Sequence, residues 1–154
     1  MNVAQLNVGY ARYPTDDPRM AEFMDNLDRM NAQAERSPGF VWRMQADNGN
    51  ATDIQVPGDP DMISNLSVWS DVASLGHYVF NTLHARFYEK GAKWFDPMKV
   101  PHFVMWNIDD GHIPTLTEAM GHLRHLHAHG STDHAFGWDA VDMFAWRRCN
   151  MAAE

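Results

Sequence analysis

The sequence predicts an α+β domain of the ferredoxin-like, split βαβ kind, built on one four-stranded antiparallel sheet. Three observations predict it. Segments with period-two alternation and segments with helical spacing follow one another as β-α-β-β-α-β, with one further helix appended. Clusters of Pro, Gly, Asn and Asp fall between these segments. The 154 residues contain no internal linker, repeat or low-complexity tract, so one domain accounts for the chain.

Residues 3–10 alternate, with Ala4, Leu6, Val8 and Tyr10 on one side and Gln5 and Asn7 on the other, as a half-buried strand does. The run from Tyr13 to Pro18 breaks the strand, and Asp17 before Pro18 supplies a helix cap and a first helical residue. Met20, Phe23, Met24, Leu27, Met30 and Ala34 then recur at helical spacing until Ser37-Pro38-Gly39 stops the helix. A second strand covers 40–45 and closes on the turn residues Asp47-Asn48-Gly49-Asn50. Residues 51–61, interrupted by Pro57-Gly58-Asp59-Pro60, read as an edge extension and loop. A third strand over 63–69 leads to Ser70, the cap of a second helix with Val72, Leu75, Val79, Leu83 and Phe87 on its buried stripe.

A fourth strand covers 102–108. Thr115-Leu116-Thr117-Glu118 is a capping box for a third helix that ends at Gly130. Met143-Phe144-Ala145-Trp146 is a candidate last strand. The domain is thus placed at 1–136, with 137–154 a C-terminal extension of it. Both sheet faces carry apolar residues. One register offers Ala4, Leu6, Val8, Phe40, Trp42, Met44, Leu66, Val68, Phe103 and Met105; the other offers Asn7, Asn65, Trp69, Val104 and Trp106. Helices on one side can cover only one face, so a second copy is expected on the other, in an isologous homodimer.

Composition excludes several classes. Twelve Lys+Arg against twenty Asp+Glu, with no basic run, argue against nucleic-acid or anionic-membrane partners. A lone cysteine, Cys149, excludes an intrachain disulfide and a Cys₄ or iron–sulfur site held by this chain. The first residues lack a basic and then apolar leader pattern, and no run approaches a membrane span, so a cytoplasmic protein without a signal peptide is expected.

His77, Asn81, His84 and Tyr88 stand at i, i+4, i+7 and i+11, a polar stripe on the second helix from which either imidazole could act as a base. The two histidines would lie roughly 10 Å apart along a helix, while zinc ligands must each approach to about 2 Å. Asn65 and Trp69 share a strand face roughly 13 Å apart, close enough to line one pocket but not to grip one atom. The amide could hold an anionic oxygen and the indole could form a flat wall. His122, His125, His127 and His129 crowd a helix end, with Asp133 or His134 the nearest further ligands. The macrodipole and free carbonyls there account for imidazoles, and no native metal is expected.

The runs Ser37-Pro38-Gly39-Phe40-Val41-Trp42-Arg43 and Asn65-Leu66-Ser67-Val68-Trp69-Ser70-Asp71, followed by His84 and Trp94-Phe95, resemble a bacterial family of uncharacterised domains. That family lies in the dimeric α+β barrel superfamily, beside the antibiotic-biosynthesis monooxygenases, and the resemblance covers roughly residues 3–136. It implies a pocket between sheet and helices in each subunit, where Asn65, Trp69 and Trp42 meet an aromatic substrate. Strict alternation puts Trp42 on the side away from the other two unless a bulge intervenes.

The expectation is an enzyme resembling cofactor-independent monooxygenases, acting on a small aromatic or polyketide-like substrate. His84 would be the base and Asn65 the anion stabiliser, with Trp69, Trp42, His77, Tyr88, Asn7 and Trp106 around the substrate and neither metal nor cofactor bound. The alternatives are a non-catalytic dimer that binds a small ligand, and a haem protein of the same superfamily. In the latter His84 would be the axial ligand, and Arg43, Arg86 and Lys90 the cations available to propionates.

Overall fold

The computed structural model describes residues 1–47, 49–52 and 54–141. Four strands, β1 (Asn2–Tyr10), β2 (Phe40–Arg43), β3 (Met62–Trp69) and β4 (Phe103–Ile108), form one antiparallel sheet in the order β2-β3-β1-β4. Placing β1 and β3 at the centre is the split βαβ arrangement. Between the strands lie α1 (Ala21–Asp25), α2 (Leu27–Arg36), α3 (Val72–Asn81) and α4 (Leu83–Glu89), and α5 (Leu116–His129) follows β4. Among the described residues no helix is long and apolar enough to cross a membrane. Cys149 and the candidate strand at 143–146 lie outside the described residues.

The first two helical stretches are each broken where a single continuous helix is expected. Asn26 separates α1 from α2. Thr82, with extended backbone, separates α3 from α4. The second break is built in. Thr82 Oγ1 donates to the Tyr78 carbonyl at 2.5 Å and accepts the His84 amide at 3.3 Å. From α2, Gln33 Oε1 accepts the Leu83 amide at 3.2 Å. The backbone groups freed by the break therefore find partners, as buried helix ends require.

Pairing between strands fixes the two faces. Ala4 lies opposite Trp106, Gln5 opposite Met105 and Leu6 opposite Val104, while Asn7 lies opposite both Asn65 and Phe103. This corrects the expected grouping. Val104 and Trp106 join Ala4 and Leu6, and Phe103 and Met105 join Gln5 and Asn7. Alternation inside a strand gives its two sides, but only the register gives the phase between strands.

One face packs on α2 and α3 through Val3, Trp69, Met105, Ala34, Leu75 and Val79. The opposite face is also covered by this chain. Ala119, Leu123 and Leu126 of α5 pack on Leu6, Val104 and Trp106, while Val56, from the segment between β2 and β3, joins the same core. Tyr10 donates to the Asp59 carboxylate and holds that segment down. The premise that the second face needs another copy is therefore not met, because α5 crosses to it.

Candidate functional site

The helix-side face carries an unusual row of polar side chains for a sheet interior. Gln5 is buried, at 4% exposure, with Ser67 directly opposite on β3. Its Nε2 donates to Ser67 Oγ at 2.8 Å and to Asn65 Oδ1 at 2.7 Å, and Ser67 Oγ also accepts the Trp69 indole N–H at 2.9 Å. Each buried polar group in this row thus has a partner, the condition under which such a row is tolerated. Asn65 stands at its open end, exposed, and faces Asn7 across the strands. Asn7 Oδ1 in turn accepts from His102 Nδ1 at 3.0 Å.

Aromatic rings continue the row onto the helices. Trp69 stacks on Tyr78 with centroids 5.2 Å apart, and Tyr78 packs on His84 at 5.0 Å. His84 reaches Tyr88 at 6.2 Å. Six residues apart on one helix, Tyr78 and His84 would point in different directions. The Thr82 break is what brings their rings together. Tyr78 is fixed by donating to the Met30 carbonyl at 3.1 Å. Burial pushes its phenol well up, and the nearby Arg43 charge acts in the opposite sense.

His84 has the clearest chemistry of the group. Its Nδ1 lies 3.2 Å from the Val79 carbonyl oxygen, which can only accept, so Nδ1 carries the proton. The neutral ring then presents Nε2 as a lone pair. Burial pushes the imidazole below its ordinary range, partly offset by the Val79 bond, which favours the neutral base at neutral pH.

Several expected site residues lie elsewhere. Trp42 pairs with Val68, and a bulge between Phe40 and Trp42 gives the face beside Trp69 to Phe40. The two rings meet edge-on at 5.5 Å, and Trp42 packs on the α5-side core instead. Trp106 is on that side too, stacked on His122 at 4.5 Å, because it pairs with Ala4. His77 contacts Asn81 at 3.3 Å on α3 and does not share the Tyr78–His84 cluster, since the stripe is interrupted at Thr82. Asn65, Trp69, Asn7, His84 and Tyr88 all border the helix-side face. Gln5, Ser67, Tyr78 and His102 belong there as well, beyond the candidates that the sequence pattern offers. Gln5 and Ser67 could have been found as polar residues at inward positions of central strands; His102 carries no such signal.

A cleft of about 350 Å³ opens beside this cluster, lined by Tyr88, His102, Phe103, Leu126 and Trp138 among others. Trp138 lies nearly parallel to Phe103, with centroids 5.3 Å apart, and meets Phe80 at 5.0 Å. Residues 131–141 bring this wall into place, and Phe136 exchanges two backbone hydrogen bonds with Met105 on the free edge of β4.

Haem does not fit these residues. Arg43 is bonded to Glu35 at 2.8 Å and Lys90 to Glu22 at 2.7 Å, so two of the three candidate propionate partners are engaged. The cleft wall is formed by Tyr88 and Trp138, without His84. On α5, His125 lies 4.6 Å from both His129 and His134, measured between centroids. Among the described residues no three potential ligands converge on a metal position.

The fold is similar to that of a conserved protein from Methanosarcina mazei Go1, with 12% identity and a TM-score of 0.52 over 71% of this chain and 94% of that one. SnoaB, a cofactor-independent oxygenase from Streptomyces nogalater, is 14% identical, with a TM-score of 0.46 over 71% of this chain and 94% of its own. An antibiotic biosynthesis monooxygenase-like protein from Chloroflexus aurantiacus J-10-fl is 16% identical, with a TM-score of 0.47 over 73% and 97%. At 12% identity the likeness to the Methanosarcina protein is one of fold alone. No curated protein matches the sequence. The sequence pattern of one family, a domain of unknown function (DUF3291), spans residues 2–149, and the chain belongs to that family.

Proposed function

We propose that the chain is a small-molecule enzyme of the cofactor-independent monooxygenase type, acting on a small aromatic or polyketide-like substrate between the sheet and α3–α4. The His84 imidazole carries the reading: its proton is held on Nδ1 by Val79, its neutral form is favoured by burial, and Nε2 is left as a base. In this reading Nε2 takes a proton from the substrate. The Asn65 amide then holds the resulting oxyanion, while Trp69 and Tyr88 shape the walls. The electron-rich anion reduces O₂. For an activated CH₂ group the balance is CH₂ + O₂ → C=O + H₂O, so one oxygen atom enters the substrate and the other leaves as water with both hydrogens.

The test is oxygen uptake with a panel of hydroxylated anthrones, which carry such a CH₂ group. Uptake equal to quinone formed is expected. His84→Ala should lower kcat by about 10²-fold or more, and Asn65→Ala by a similar factor. Turnover that survives both substitutions sinks the assignment.

A second reading, binding without chemistry, is favoured by the walls of the cleft, which include Tyr88 and Trp138 but neither His84 nor Asn65. A small molecule retained in native mass spectra of a protein that consumes no oxygen would select it. A homodimer in the cytoplasm belongs to the proposal through the resemblance alone. A monodisperse monomer in light scattering removes the dimer.

A further inference from the structure

Four imidazoles meet at the end of α5. The His134 ring stands 4.5 Å from that of His122 and 4.6 Å from that of His125, and His125 stands 4.6 Å from His129, between centroids. The contacts thus run His122–His134–His125–His129. Three of these rings belong to α5, and His134 alone stands on the segment 131–141 that follows it.

The same rings hold that segment against the helix. His122 Nδ1 lies 3.1 Å from the His134 carbonyl oxygen, which can only accept, so Nδ1 carries the proton. His125 Nε2 lies 3.0 Å from Thr132 Oγ1. Farther along, Phe136 is tied to Met105 by two backbone hydrogen bonds of 2.8 and 2.9 Å. Gly137, Trp138 and Asp139 then join Tyr88 and His102 in the walls of the cleft. A movement of His134 away from α5 therefore moves the cleft wall.

Among the described residues, few charges face the cluster. From β4 the uncharged Trp106 ring covers His122. Glu118, one turn earlier on α5, acts on His122 but is paired with His112 at 2.9 Å. In the segment itself Asp139 accepts from Ser131, and Asp133 lines a separate hollow with Asn107 and Phe136. His127 is turned to the Pro101 carbonyl at 2.6 Å. Burial first, and then the neighbouring imidazoles, hold His122 and His125 below their ordinary range. Four rings in a row accept two protons without adjacent charges, and a third creates a repelling pair. Within α5 the helix fixes the rings, so the contacts that can yield are those of His134.

We infer that His122, His125, His129 and His134 form a proton-sensitive latch, which when neutral holds 131–141 on α5 and when charged releases it, opening the cleft. This deepens the proposed function by regulating the cleft beside its site, and rests on that reading only in taking the cleft as a ligand entrance. The closed arrangement disfavours protons and the open one takes them up on separated, solvated rings. Acid below about pH 6.5 therefore shifts the population toward the open form.

The test is amide exchange followed by NMR at pH 7.5 and 5.5, corrected for intrinsic rates, in the wild type, His134→Gln and His134→Lys. Phe136 and Met105 report the latch, and Leu6, buried in the central strand β1, reports global opening. In the wild type, protection at Phe136 and Met105 should fall about tenfold or more beyond any fall at Leu6. His134→Gln, which cannot be charged, should remove that difference, and the ring titrations of His122 and His125 should move upward. His134→Lys, with a permanent charge, should be weakly protected at both pH values. An equal fall at Leu6, or the same local fall in His134→Gln, overturns the proposal.

A ligand arm uses 1-naphthol, which is uncharged at both pH values. Its dissociation should be severalfold faster at pH 5.5 in the wild type and pH-independent in His134→Gln. Equal rates in the wild type overturn the coupling to the cleft. If 1-naphthol does not bind at either pH, the cleft as a ligand entrance fails with the function that uses it, while amide exchange still decides the latch.

Discussion

Both faces of the sheet pack aromatic and aliphatic side chains against helices, but they differ in what else they contain. Toward α5 the contacts are Leu6, Leu66, Val68, Val104 and Trp106 against Ala119, Leu123 and Leu126, an apolar seam. Toward α3 and α4 the same strands present Gln5, hydrogen-bonded to Ser67 and Asn65, and Asn7, which accepts from His102, with Trp69, Tyr78 and His84 stacked in sequence alongside. A hydrogen-bonded polar row contributes little more stability than apolar residues of the same shape would. The α5 side, by contrast, buries the Ser64 hydroxyl and the Trp106 indole N–H without hydrogen-bond partners among the described residues.

The comparison breaks most readily at its apolar end. Leu123→Ala, at a position 1% exposed under the sheet, should cost about 2–5 kcal/mol in urea unfolding. Gln5→Leu, which trades two side-chain hydrogen bonds for an apolar side chain of similar size, should cost far less. An equal loss from both would erase the distinction between the faces.

Gly39 tests the junction of β2 with α3. It has φ +84°, and a Cβ there would run into the Ser74 and Ser70 side chains. Gly39→Ala should cost at least about 1–3 kcal/mol from backbone strain alone, seen as a lowered melting temperature. A neutral result would mean that β2 does not need this close approach.

Acid should loosen both faces. Burial is the leading cause that lowers the pKa values of His84 on one face and of His122 and His125 on the other; for the latter two, neighbouring imidazoles add to it. A histidine with a lowered folded pKa lets the unfolded chain take up protons first. Its contribution to stability is full above about pH 6.5 and falls as pH drops through the folded values. Urea midpoints should therefore decline between pH 7.5 and 5.5, and His84→Gln should flatten the decline. A flat wild-type profile would contradict this.

Smaller effects sharpen the contrast further. Tyr78→Phe deletes the bond to the Met30 carbonyl but keeps the stack on Trp69. It should cost about 1 kcal/mol in the same unfolding assay. Glu35→Ala, which breaks an ion pair whose carboxylate is largely exposed, should cost about 0–1 kcal/mol.

Much of the fold was legible in the residues. Alternation gave the strands, Thr115 caps α5 by accepting the Glu118 amide while the Glu118 carboxylate pairs with His112 instead of closing the box, and Gly130 ends that helix with φ +71°. At the site, Asn65, Trp69, His84, Tyr88 and Asn7 border the helix-side face as their spacing and the resemblance implied. Trp42, Trp106 and His77 do not. Each departs from the resemblance for a different physical reason: Trp42 lies away from Asn65 and Trp69, as alternation puts it, with a bulge giving Phe40 the place beside Trp69; cross-strand register set the phase of β4; and a hydrogen-bonded break divided a helix that periodicity runs straight through.

The sequence by itself determined the α+β class, the strand order along the chain and the two sides of β1, β3 and β4, because these follow from local periodicity, caps and turn residues; the bulge in β2 separates Phe40 from Trp42, which alternation puts together. Only the tertiary structure decided which faces join across strands, that α5 covers the side otherwise left for a second copy, and that Gln5 and His102 engage the oxygens of Asn65 and Asn7. Those outcomes depend on contacts between residues as far apart as 5 and 65, or 7 and 102. No local pattern encodes the direction in which an amide points; its partners across the sheet do.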